Sequence, residues 1–208
     1  MLSNAGHSQF VWIVSGPSGS GKTTLCEALL KDEFYRKKLL RSVSSTTRGR
    51  RQGELEGKDY HFISEKQFSS LIKKEAFLEY EEIFGAYYGT LKKVLLDARR
   101  QGKDVLLCID VKGARKIKKA LHKRVVSIFI LAPKLDTLVE RLHKRSTENK
   151  KDIEKRVGRV KMELSYAAGY DYVIVNDRFE DALEKLKAIF TAKRCEGEYV
   201  LHSVREAH

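Results

Sequence analysis

Residues 16–23 read Gly16-Pro17-Ser18-Gly19-Ser20-Gly21-Lys22-Thr23, with Thr24 next. The run fits G-x-x-x-x-G-K-[ST], a spacing that lets a glycine-rich backbone wrap until successive N–H groups point inward at phosphate oxygens. A helix beginning directly after it adds the positive end of its dipole. Lys22 is then placed to reach β/γ-phosphates, and the Thr23 hydroxyl to sit on Mg²⁺. A chance match in 208 residues is on the order of one in a hundred.

Three further groups could do chemistry. Arg48, Arg50 and Arg51 stand among hydroxyls and glycines in residues 45–53, STTRGRRQG, and guanidinium groups grip phosphate in a bidentate fashion. An exposed basic loop fits those residues equally well. Asp110 closes the apolar run at 105–109; a carboxylate delivered there can address Mg²⁺ or substrate, and an ordinary strand-terminating Asp has the same pattern. Arg141, Arg145, Arg156 and Arg159 flank the polar break STENKK at 146–151, the composition of an arginine-bearing lid and also of solvated helix faces.

These groups need elements to position them. The run FVWIV at 10–14 predicts a buried strand leading into the glycine-rich loop, and Leu25, Leu29 and Leu30 predict a helix leaving it. Residues 39–44 predict a short strand, 59–63 another, and Ser64 with Gln67 a capping box opening a helix through Phe68, Leu71 and Ile72. Residues 77–83 and 86–90 predict two strands around a turn at Gly85. Tyr60, Tyr80, Tyr87 and Tyr88 gather in this stretch, and aromatic strands more often pack than bind, unless the segment folds as an arm over a ligand.

From residue 91 strands and helices alternate: helix 91–101, strand 105–110, helix 114–121, strand 125–131, helices 135–144 and 152–168, strand 172–175, and a closing helix through Leu183, Leu186, Ile189 and Phe190. The fold class this implies is α/β: a parallel β-sheet core flanked by helices, with an inserted β-rich arm and a helical lid. One domain is expected over 1–208, with core 1–41, 91–133 and 160–208, arm 42–90 and lid 134–159.

Hydrophobic residues make up 42% of the chain and charged residues 33%, ordinary for a globular protein. No apolar run approaches the roughly 18 residues of a membrane span. The polar opening MLSNAGHSQ has no Lys, Arg or apolar signal core, which favours the cytoplasm. Cys26, Cys108 and Cys195 are scattered and odd in number, so they read as reduced thiols and not as a disulfide framework or a zinc site. The net charge of +13 favours polyanionic ligands, but no basic segment is interleaved with aromatics as a nucleic-acid platform would be. Nucleotides account for it better than nucleic acid or a membrane surface.

Laid out in order, GPSGSGKTT, SVSSTTRGRR, GKDYHF, FLEYEEIFGAYYGT, the strand ending IDVKGA, RLHKRSTENKKDIEKRV and VIVND resemble guanylate kinase, a P-loop nucleoside monophosphate kinase, from about residue 10 to 190. The resemblance implies transfer of the γ-phosphoryl of ATP to GMP, and to dGMP, with Mg²⁺ as cofactor and a monomer or homodimer as the assembly. It puts Ser44, Glu79, Thr90 and Asp110 on guanine, with Gly89 beside them, and Arg48, Arg51, Tyr60 and Tyr88 on the acceptor phosphate. It gathers Lys22, Arg145 and Arg156 around the transferring phosphoryl, as catalytic residues. ATP would lie on residues 16–24, with Asn176 near adenine and Asp177 next to it.

Three positions depart from the family pattern. Arg50 stands where proline is usual, and Ser146 where the lid has Gly or Asn. Cys108 stands where the Asp110 strand usually carries a second acid, and a neutral thiol cannot replace a carboxylate near Mg²⁺. A related sugar-phosphate kinase, a non-catalytic guanylate-kinase-like phosphopeptide module and a basic nucleic-acid-binding protein are the rival readings. Ser44, Glu79 and Asp110 argue against the first of these, and Lys22, Thr23 and both lid arginines against the second.

Overall fold

A computed structural model describes residues 9–133, 158, 162–197 and 200. Five parallel strands form the core sheet in the order β2-β7-β1-β8-β9, where β1 is Val11–Ser15, β2 Leu39–Arg41, β7 Asp104–Cys108, β8 Val125–Leu131 and β9 Tyr172–Val175. Every residue of β1 is buried, as a central parallel strand covered on both faces requires. Its side chains alternate between two cores. Trp12 and Val14 face one that contains Leu25 and Leu29 of α1 (Lys22–Lys31), Tyr35 of α2 (Glu33–Lys38) and Phe190. Val11 and Ile13 face the other, with Ala98, Leu107 and Ile117.

The second sheet, β4-β3-β6-β5, is built entirely from residues 45–91: β3 Ser45–Thr46, β4 His61–Phe62, β5 Phe77–Ile83 and β6 Ala86–Leu91. Helix α3, Glu65–Lys73, enters it through the Ser64/Gln67 capping box. Phe84 and Gly85 join β5 to β6 with φ of 52° and 74°, two successive left-handed residues whose twist suits a two-residue hairpin.

The single strand expected over 39–44 is in fact divided. Arg41 still pairs with β7 and the Ser42 N–H bonds Leu106 O, whereas Ser45 pairs with Gly89 and His61 in the other sheet. The chain changes sheets between those residues, so one stretch of uniform strand propensity serves two layers. Helix α4 is Lys93–Arg100, because Leu91 still belongs to β6, and α5 is Val111–Leu121, capped by Asp110.

Helix α6, Phe179–Arg194, closes the core: Phe190 stacks on Trp12 with ring centroids 4.6 Å apart. Trp12 Nε1, the Phe10 N–H and Arg194 all converge on the fully buried Asp104 carboxylate, at 3.1, 3.0 and 2.7 Å. Of the helices expected at 135–144 and 152–168, the first lies outside the described residues; in the second, Gly158 and residues 162–165 are helical. No helix of the described residues is long and apolar enough to cross a membrane.

Candidate active site

The glycine-rich loop leaves the carboxyl end of β1 and enters α1 directly. Two of its glycines are sterically compelled. At Gly16, φ 140°, a Cβ would lie 2.2 Å from Ile130 O of the neighbouring β8; at Gly21, φ 91°, it would lie 2.3 Å from Asn176 Nδ2. Lys22 lies over the loop and donates to Gly16 O at 2.7 Å and Pro17 O at 2.8 Å. Burial pulls its pKa down, against the nearby charges of Cys108, Glu163, Cys26 and Asp110.

Asn176 ends up behind the loop. Its amide donates to Ser20 O at 2.7 Å, and it is buried, so the end of β9 braces the loop from below. The Ser20 hydroxyl is fully buried and has no hydrogen-bond partner among the described residues. Asp177 is exposed beside Asn176.

A single cavity of about 400 Å³ runs from this loop to the second sheet. Gly16, Ser18, Gly19, Gly21, Lys22, Thr23 and Thr24 border one end; Ser44, Arg48, Arg51, Tyr60, Glu79 and Tyr88 border the other, with Asp110 on the wall. Of the residues expected at the site, Pro17, Ser20, Asn176, Asp177, Gly89 and Thr90 do not border it. Gly89 is packed tightly instead, with Phe77 and Phe68 where a Cβ would go. Arg145 and Arg156 lie outside the described residues.

At the far end, Glu79 is 6% exposed. It sits on β5 just after a register shift and opposite Thr90, whose hydroxyl donates to its Oε1 at 2.7 Å. Gly113 leaves room for the other oxygen, since a Cβ there would come within 2.5 Å of Oε2. Burial above all, and the Asp110 charge, push Glu79 up to about 7 despite the Thr90 hydroxyl and Lys116. Asp110 is committed through one oxygen to capping α5, accepting from Lys112 N at 2.8 Å and Gly113 N at 3.3 Å. It is thus a helix cap beside the cavity, and not a strand terminus.

The arginine cluster is organised by a residue that the sequence reading passed over. Glu54 Oε1 accepts from Arg48 Nη2 at 2.6 Å, and its Oε2 from the Arg51 N–H at 2.8 Å. Arg48 Nε donates to the Tyr88 hydroxyl at 3.1 Å, and its guanidinium lies over the Tyr60 ring, 5.5 Å from the centroid. Tyr60 and Tyr88 meet edge to face, and burial pushes the Tyr60 hydroxyl up to about 12. Arg50 donates from Nε to Glu54 O. A carboxylate three residues beyond Arg51, the last of three closely spaced arginines, was the available signal for Glu54. Glu163, also buried and bordering the cavity, was missed within a helix that reads as merely amphipathic.

Chemically, this is a cavity with a backbone cradle and an ammonium at one end, and at the other a buried carboxylate beside guanidinium groups and phenols. It suits two anionic ligands laid end to end, one of them carrying adjacent hydrogen-bond donors.

A sequence model of the family described as guanylate kinase matches residues 8–193. The guanylate kinase of Clostridium tetani is 40% identical over 92% of this chain and 90% of its own length, and that of Caldanaerobacter subterraneus subsp. tengcongensis 44% identical over 88% and 87%. The crystal structure of guanylate kinase from Anaplasma phagocytophilum superposes with a TM-score of 0.72 at 32% identity, covering 94% of this chain and 91% of that one.

Proposed function

The chain belongs to the guanylate kinase family and transfers the γ-phosphoryl of ATP to GMP, giving ADP and GDP; on that premise we propose how its own side chains divide the work. One observation carries the assignment: the two ends of one cavity differ in kind, an amide-and-ammonium cradle facing a buried carboxylate flanked by arginines.

Glu79 reads the base. Guanine presents N1–H and a 2-amino group side by side, two donors that one carboxylate accepts together. Thr90 and Gly113 set the carboxylate for this, while Ser44 and Asp110 complete the guanine end. Arg48, Arg51, Tyr60 and Tyr88 hold the acceptor phosphate. Residues 16–24 hold the phosphates of ATP, with adenine on the side of Asn176 and Asp177. Lys22 leaves the Gly16 and Pro17 carbonyls for the β/γ-phosphates, and Arg145 and Arg156 close over the phosphoryl in transfer. With little covalent work for the protein to do, alignment, exclusion of water and fixed positive charge carry the catalysis.

Magnesium fits the donor set at the phosphate end. The Thr23 hydroxyl borders the cavity with the Asp110 and Glu163 carboxylates, hard oxygen donors that suit it. Among the described residues no group of three or more His, Cys, Asp or Glu forms a cage. Thr23, together with the substrate phosphates, would hold the ion, which would supply neutralisation of phosphate charge.

An ADP-release assay with ATP, Mg²⁺ and a panel of nucleoside monophosphates tests the assignment. GMP should exceed AMP by at least about 10³-fold in kcat/KM, because AMP leaves a desolvated carboxylate facing a lone pair. dGMP should be accepted better than AMP. Equal use of AMP overturns the base-reading role of Glu79.

A further inference from the structure

Cys26 and Cys108 are remote in sequence but meet in the fold. Cys26 lies on α1, one turn past Lys22, and is fully buried. Cys108 ends β7, pairs in register with Val14, and borders the cavity with Lys22 and Thr23. It packs against the core cluster that includes Cys26, and Cys26 follows Thr23 by three residues on α1, the spacing that puts both on one helix face. The Thr23 hydroxyl lies 3.8 Å from Cys108 Sγ. Cys108 is half-buried and Cys26 is sealed behind it, so a small oxidant entering the cavity meets Cys108 first.

We propose that Cys26 and Cys108 form a peroxide-sensitive thiol pair, which closes to a disulfide and disables the phosphate end of the site. Cys108 sulfur attacks hydrogen peroxide: an S–O bond forms, the O–O bond breaks, and the departing hydroxide takes the thiol proton as water. Cys26 sulfur then attacks the sulfenic sulfur: the S–S bond forms, the S–O bond breaks, and the second hydroxide leaves with the Cys26 proton as water. Two electrons pass from the sulfurs to peroxide, and the atoms balance with two waters.

The consequence follows from position. A disulfide requires the sulfurs to close to about 2 Å. Closure draws Cys108 Sγ toward α1, and the strain falls on the helix turn that carries Lys22 and Thr23. Cellular dithiols can reverse the bond, so the pair would report oxidant and not serve as a structural crosslink. Cys195, exposed at the end of α6, has no place in this and serves as an internal control.

The test treats the reduced full-length chain with hydrogen peroxide and maps its peptides without reduction, alongside GMP-dependent ADP release. The expected result is a Cys26–Cys108 linked peptide and at least about tenfold loss of rate, restored by dithiothreitol. Cys26→Ala and Cys108→Ser, each compared with its own untreated rate, should lose the restorable component. A map in which Cys26 remains alkylatable after Cys108 has been oxidised, or in which Cys195 alone is modified, overturns the proposal. The map needs no variant to fold and no activity. Only the rate loss rests on the kinase assignment, whose failure would show as absent GMP-dependent turnover before any peroxide is added.

Discussion

Arg48 is held by Glu54, Nη2 to Oε1 at 2.6 Å, while its Nε is held by the Tyr88 hydroxyl at 3.1 Å. The guanidinium is fixed from two sides before any phosphate arrives, and both partners of the ion pair are largely shielded, at 16% and 20% side-chain exposure. Preorganisation of this kind lowers the cost of binding. Glu54→Gln should raise the KM for GMP about tenfold with little change in kcat, and leave affinity for guanosine, which has no phosphate, within about twofold. Kinetics with GMP and calorimetry with guanosine check the split. A parallel loss for both ligands would reduce Glu54 to a loop staple.

Lys22 spends the ligand-free state on two loop carbonyls. If Lys22 follows the β/γ-phosphates into the transition state, as proposed, Lys22→Ala should cost at least about 10³-fold in kcat. A variant that keeps a tenth of the parent rate with an unchanged circular dichroism spectrum would take Lys22 out of the chemistry.

Glu79, raised to about 7 mainly by burial, must be ionised to play its proposed part as acceptor for guanine. Its affinity for guanosine should therefore hold above pH 7 and fall as pH drops through that value, approaching tenfold per unit, with a proton released on binding. Guanosine avoids the phosphate's own titration near pH 6. For stability the sign is opposite: the raised carboxyl favours the folded state at low pH, and this contribution is lost as pH climbs from about 4.5 to about 7. Glu79→Gln should flatten both dependences and cost about 10²-fold or more in kcat/KM for GMP, with ATP affinity unchanged. Calorimetry across pH reads the first effect and urea melts read the second.

Cys108 lies beside Thr23, its Sγ 3.8 Å from the hydroxyl expected to sit on Mg²⁺. Cys108→Asp should lower the Mg²⁺ concentration for half-maximal rate, since a carboxylate can hold part of the ion's water shell. The charge must be accommodated next to buried Cys26, so a urea melt accompanies the titration. An unchanged Mg²⁺ dependence in a stable variant assigns the position to strand packing.

Asp104 is fully buried and receives hydrogen bonds from Phe10 N, Trp12 Nε1 and Arg194. Asp104→Ala would strand these donors, one of them charged, and should lower unfolding free energy by about 3 kcal/mol without altering KM for either nucleotide. Denaturant melts and steady-state kinetics together decide it.

What could be foreseen was local or periodic. The five core strands, the capping box at Ser64 and the hairpin turn at Gly85 are each written in a short window, and each formed. The break between Arg41 and Ser45 was not foreseeable, because the residues that decide it are Leu106, His61 and Gly89, far along the chain. In the cavity, Lys22, Arg48 and Asp110 could be named from motif and pattern, and Glu79 from the family resemblance alone. Their partners could not: Glu54 folding back on Arg48, Gly113 yielding to Glu79, and Cys26 touching Cys108 depend on packing that periodicity does not encode.

The brace from Asn176 to Ser20 ties the glycine-rich loop to the end of β9, and Phe190 covers Trp12 from still further along the chain. On the ribosome, the phosphate-binding loop leaves well before the amide that supports it and the ring that covers its strand. A nascent chain lacking residue 176 lacks the amide that donates to the Ser20 carbonyl, so the loop waits on a distant strand before it is braced. A message cut before that residue would yield a chain bearing the whole phosphate-binding motif without its support.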